Sequence, residues 1–169
     1  MQARPVRTTV MRWAMAALAV AHLAACAVPE WQQPGAPAAE VQADLGVPHL
    51  RVPLPDGGQR WVYSRQPAGQ QVFHMVFDAQ QRLQRVDQVL QEAHFLRLKK
   101  GLDTRQSVLE YFGKPALVEG VGNFQGDVWT YRLHENSIDR LAHVFIDPQH
   151  VVQHVMFTDE QRLDDDPRR

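Results

Sequence analysis

The sequence holds a single cysteine in 169 residues, so no disulfide can staple the fold and no Cys-based metal pattern can form. It has no excess of positive charge: 18 Lys and Arg stand against 19 Asp and Glu, a net charge of −1. Without residues 1–25, which carry Arg4, Arg7 and Arg12 and no acid, the balance is 15 basic against 19 acidic, or −4. No basic face for nucleic acid is expected from such a chain. Neither a Gly-rich phosphate loop nor a nucleophile elbow occurs. The apolar run from Trp13 to Ala25 falls short of the roughly 20 residues that a permanent membrane-spanning helix needs. What is present is 44% hydrophobic residues, the range of globular proteins rather than disordered ones.

The N-terminus has the layout of a secretory signal: a positively charged start, the apolar run, and small residues before Cys26. The tetrapeptide LAAC, Leu23 to Cys26, resembles the lipobox of bacterial lipoproteins. That resemblance implies cleavage between Ala25 and Cys26, and acylation of both the Cys26 thiol and its new amino group. Three acyl chains exceed the two signals that stable anchoring requires. Ala27, rather than Asp, after the cysteine implies sorting to the outer membrane, with the rest of the chain on the periplasmic face. The alternative is ordinary cleavage that leaves Cys26 a free thiol, a liability in an oxidising compartment.

Residues 26–37 shift to Pro, Gln, Ala and Gly and read as a flexible tether, with Trp31 its one large apolar residue. Beyond it the chain repeats itself with a period of about 70 residues. EVQADLGVP, Glu40 to Pro48, matches SVLEYFGKP, Ser107 to Pro115, at an offset of 67. Trp61 and Tyr63 match Trp129 and Tyr131 at 68, and MVFDAQQRLQRV, from Met75, matches VFIDPQHVVQHV, from Val144, at 69. The offset grows by one at each loop, as two copies of one fold would allow.

Each copy begins with a short helix. Val41 and Leu45, like Val108 and Phe112, are four apart and share a helical face, and Asp103 or Thr104 can cap the second helix. Gly46 and Gly113 read as left-handed exits, with Pro48 and Pro115 preventing resumption. Strands are expected near 59–65, 71–78 and 82–90, and again near 127–134, 139–147 and 150–157, with 50–54 and 117–121 as optional edge strands. The expected class is α+β: two tandem units, 38–91 and 101–158, each a helix on a three- or four-stranded antiparallel meander. A linker, 92–100, joins them, and a polar tail, 159–169, ends the chain.

Residues two apart on a strand share a face, so Trp61 with Tyr63 and Trp129 with Tyr131 form two same-side pairs. They read either as core under the helix or as candidate recognition sites on an exposed face; the core reading is favoured because large aromatics are mostly buried in small domains. His150 and His154 are four apart, but on a strand that spacing spans about 13 Å, too far for one ion. His74 and His143 are equivalent by the repeat and read as a shared structural position. No metal, cofactor or catalytic constellation is expected.

A lipobox, a Pro-rich segment, a helix ending in LG-P or FG-P, then W-x-Y and a V-F-D or F-I-D turn together resemble the BamE (SmpA/OmlA) family of outer-membrane lipoproteins. The stretch KKGLDTRQSVLEYFGKP, Lys99 to Pro115, carries the family's helix start and Gly-x-Pro exit; GAPAAEV, Gly35 to Val41, is a degraded form of that start. The family carries one such unit, and this chain carries two. Tandem units also resemble the secreted β-lactamase inhibitory proteins, whose disulfides this chain cannot form. The first resemblance implies a non-enzymatic accessory that binds subunits of the outer-membrane β-barrel assembly machine, anchored in outer-membrane lipid through Cys26. The second implies a module that captures an enzyme or cell-wall ligand.

Overall fold

The computed structural model describes residues 28–160; the expected signal segment and cleavage point at Ala25 and Cys26, and residues 161–169 of the expected tail, lie outside the described residues. The fold is α+β, with two antiparallel four-stranded sheets in meander order and few helices. Helix α1 (Ala38–Leu45) precedes β1 (Leu50–Pro53), β2 (Gln59–Ser64), β3 (Val72–Phe77) and β4 (Leu83–Gln88). A one-turn helix α2 (Glu92–Phe95) leads to α3 (Arg105–Phe112), followed by β5 (Leu117–Glu119), β6 (Asp127–Glu135), β7 (Ile138–Ile146) and β8 (Val152–Asp159). The optional edge strands are therefore real, as β1 and β5.

The repeat extends to single hydrogen bonds. In the β3–β4 turn Asp78 accepts from the Arg82 backbone N–H at 2.8 Å and from the Gln84 amide at 2.6 Å. In the β7–β8 turn Asp147 accepts from the Val151 N–H at 2.9 Å and from the Gln153 amide at 2.6 Å. Gln81 and His150 hold positive φ at the same place in each turn, 59° and 65°. A side chain that binds its own turn replaces the missing ladder bonds there. Each central strand then carries a register shift, at Val76/Phe77 and at Phe145/Ile146. His150 thus belongs to the turn, not to the strand expected to begin there.

The helix exits are duplicated too. Gly46 has φ 79° and ψ −167°, and Gly113 has φ 73° and ψ −165°. This is not the left-handed helical region expected for a helix-ending glycine but the extended positive-φ region, which is essentially closed to side chains. The two helix starts differ in chemistry. Thr104 and Ser107 form a capping box on α3, while α1 begins at Pro37 with no side-chain cap. Each start is nonetheless pinned to its hairpin through the backbone: Gly35 N–H donates to Leu83 O and Leu83 N–H to Ala36 O, as Gly101 N–H does to Val152 O and Val152 N–H to Asp103 O. Residues 35–37, expected in the tether, are therefore the anchored beginning of the first unit. Pro29 is buried and Glu30 pairs with Arg65 at 3.1 Å, so the chain lies along the first sheet from residue 29, with Trp31 66% exposed.

Two hydrophobic clusters order the layers. Ala38 and Val41 of α1 share one with Trp61, Tyr63, Phe73, Met75 and Phe77 from one face of the first sheet. The other cluster joins Val62 and Val72, from the opposite face of that sheet, to Val108 and Phe112 of α3 and to Trp129, Tyr131, Leu133, Ala142 and Val144 of the second sheet. Helix α3 thus lies between the sheets and completes both. The linker belongs to the core as well: Phe95 is fully buried, stacked on Phe112 with ring centroids 4.0 Å apart and planes within 3°. Composition alone marked residues 92–100 as a connector because the only large apolar side chains in that polar run are Phe95 and two leucines.

Candidate functional site

None of the four aromatic candidates offers its ring to a ligand. Trp61, Tyr63, Trp129 and Tyr131 are all buried, and each pair faces the cluster that contains its helix. The phenols do the same work in both units: Tyr63 donates to Gly46 O at 3.0 Å, and Tyr131 to Gly113 O at 2.9 Å. Each tyrosine therefore satisfies a carbonyl just past a helix end, where the backbone has no internal partner. Burial raises the Tyr63 hydroxyl to about 12 and drives that of Tyr131 well above its ordinary value. The indoles diverge. Trp61 donates to Gln59 at 2.9 Å, whereas the buried Trp129 N–H has no hydrogen-bond partner among the described residues. At the position matching Gln59 stands Asp127, which pairs with Arg105 at 3.5 Å while that guanidinium lies over the Trp129 ring.

The two equivalent histidines are structural, in different settings. His74 is buried on the α3-facing side of the first sheet, and its Nε2 lies 2.6 Å from Tyr111 O. A carbonyl only accepts, so this nitrogen carries the proton. Desolvation, the largest influence, lowers the His74 pKa to about 4. His143 is half-buried on the outward side of the second sheet, with Nδ1 2.9 Å from Thr130 Oγ1 and Nε2 2.9 Å from Thr158 Oγ1. Its pKa is also lowered, chiefly by burial and against the pull of Glu119. His154 stands exposed on β8, stacked on Phe145 at 3.9 Å.

Among the described residues, clefts open at the seam between the units. One cleft of about 330 Å³ lies beside α3, lined by Arg60, His94 and Arg97 together with Asp103, Glu110 and Tyr111. A more apolar cleft of about 300 Å³ opens where Leu50 and Pro67 face Leu109 and Pro115. The seam is closed by backbone as much as by side chains. Beyond Thr130, β6 has no β5 partner, and the Gln66 carboxamide takes the place of a strand there. It donates to Arg132 O at 2.7 Å and accepts from Arg132 N–H at 3.2 Å. Arg132 in turn donates to Pro67 O and Ala68 O, both at 3.0 Å, and pairs with Glu160 at 2.6 Å. Arg60 donates across the seam to Glu110 O at 3.2 Å.

No protein-family model and no curated protein matches this chain. Among solved structures it is similar to a DUF4309 family protein (YjgB) from Bacillus subtilis, at 16% identity over 72% of this chain and 77% of that one. The TM-score of 0.31 is too low for that likeness to carry an argument.

The seam residues Arg60, Gln66, Phe95 and Tyr111 were not legible as a site. Each lies where the two copies differ, so comparing copies discards them. A search for polar residues that break the repeat would have found Arg60, which matches Val128, and Gln66, in the loop that the second copy replaces by a two-residue turn at Asn136 and Ser137.

Proposed function

We propose that the protein is an outer-membrane lipoprotein of the BamE (SmpA/OmlA) kind, a non-enzymatic accessory that binds protein partners during insertion of β-barrels into the outer membrane. In this reading each unit is a BamE-like helix on an antiparallel meander, and Cys26 is the lipid anchor. The observation that carries it is the coincidence of LAAC, ending in the chain's sole cysteine, with a unit written twice as helix, Gly-x-Pro exit and W-x-Y strand. The geometry supports it by giving the pattern residues the same task in both copies: the exit glycine turns the chain and the tyrosine binds its carbonyl. The buried histidine and aromatics are committed to structure, which leaves seam and sheet faces as the means of contact.

The experiment is crosslinking in envelopes followed by affinity purification of the full lipidated protein. The reading expects subunits of the barrel-assembly machine. Recovery of none would end it, and a stoichiometric soluble enzyme would install the inhibitor reading in its place. Anchoring has a separate check: Cys26→Ala is expected to accumulate unprocessed precursor without acyl label, and continued acyl labelling would overturn it.

A further inference from the structure

The repeat allows one sheet face to be compared with its own counterpart. On the first sheet Leu50, Val62, His74 and Asp87 form a row across all four strands, on the side facing α3. On the second sheet the equivalent row is Leu117, Thr130, His143 and Met156, on the side facing away from α3. The first row is covered by the C-terminal turn of α3. Gly113 sits against Val62 and Ser64 with space for only ordinary contact, His74 binds Tyr111 O, and the Tyr111 ring meets the His74 ring edge-on at 4.8 Å. The second row is open at its two ends, with Leu117 50% and Met156 49% exposed; between them His143 is half-buried and Thr130 is buried, and Phe124 packs against Phe145 beside the row. It ends in Met156 where the covered row ends in Asp87.

We propose that the row Leu117, Thr130, His143, Met156 docks the C-terminal turn of an amphipathic helix from another protein, as the first sheet docks that of α3. Such a turn presents carbonyls with no internal partner. His143 Nε2 is placed to meet one of them by exchanging its bond to Thr158, as His74 meets Tyr111. Glu119, exposed at the edge of the row, adds a carboxylate that complements Lys or Arg in the last turn of the incoming helix.

Other occupants fit less well. Residues 161–169 contain one large apolar side chain, Leu163, among charges. The first described residues, with Glu30 paired to Arg65, lie beside the α1 face of the first sheet, at the opposite end of the layer stack. A second copy could offer α1, but where α3 presents Leu109 and Tyr111 that helix presents Gln42 and Asp44.

Docking of this kind does not depend on which protein the partner is. It is tested in the full chain in envelopes, with a photo-crosslinking benzophenone residue at position 117 and Met156→Glu as the disrupting change. Met156 is half exposed, so the variant is expected to unfold at the same temperature as its parent. Crosslinks from position 117 are expected within the last turn of a helix of a second protein, and to fall at least tenfold in Met156→Glu. No crosslink, one to lipid, one to a second copy of this chain, one to a strand or loop, or one undiminished in Met156→Glu would each overturn the proposal. A helix-end crosslink to a protein outside the barrel-assembly machine would uphold it while the proposed function failed.

Discussion

The two sheets share a hairpin clasp, a register shift, an exit glycine, a clamping tyrosine and a central histidine, yet their far faces meet different surroundings. Among the described residues, the first sheet lies between two helices, and the second has a helix, α3, on one face only. The same strand pattern therefore serves as interior in one unit and as boundary in the other. This asymmetry is also written in the helices. At matching positions α1 carries Gln42 and Asp44, and α3 carries Leu109 and Tyr111, because only α3 must satisfy apolar surface on both sides.

The first way to break this comparison is to truncate matching core positions on the two helices. Phe112→Ala removes a fully buried ring shared by both sheets and is expected to cost about 3–5 kcal/mol in denaturant unfolding. Its counterpart, Leu45→Ala, removes a half-buried side chain from the end layer and is expected to cost about 2 kcal/mol or less. Equal costs would mean that α3 does not serve two sheets.

The histidines sharpen the comparison through pH. His74 in the folded protein titrates near 4, below the ordinary value near 6.5 of an unfolded chain. Between those values the unfolded state binds more protons, so the stability due to neutral His74 is complete above about pH 6.5 and is lost as pH falls toward 4. The loss amounts to about 3 kcal/mol at most. Unfolding followed across that range is expected to lose most of its slope in His74→Gln, which keeps a donor for Tyr111 O, and little of it in His143→Gln. A slope that followed His143 instead would contradict the assignment of covered and open rows.

The smallest effect separates the tyrosines. Tyr131→Phe leaves Gly113 O unpaired in a fully buried site and is expected to cost about 2 kcal/mol. Tyr63→Phe opens the same bond near solvent, where water can replace the phenol, and is expected to cost about 1 kcal/mol. The measurement is chemical denaturation of both variants, and a reversed order would place the drier core in the first unit.

Much of the fold was legible because duplication supplies its own control. Val41 and Val108, Gly46 and Gly113, and Trp61 and Trp129 are each readable alone only as weak signals, and the constant offsets turn them into one unit written twice. The positive-φ exits, the eight strands and the burial of the aromatic pairs follow from local chemistry. The seam was not legible, because a contact between copies has no counterpart within either copy. Phe95 looks like one apolar residue in a polar linker, and Gln66 like a loop amide. Their roles depend on where the second sheet lies, which periodicity does not encode. The open row was hidden for the opposite reason: its residues match those of a covered row, and the pattern of a strand does not say whether another layer follows.

Central to both units is α3, as the element that joins the two sheets. Native-state hydrogen exchange of Phe112→Ala, read amide by amide, tests that role most directly. The expected result is a similar loss of protection at Val62 and Val72 of the first sheet and at Tyr131 and Val144 of the second. Loss confined to the second sheet would show that α3 belongs to one unit alone, and the comparison on which the open face rests would fall with it.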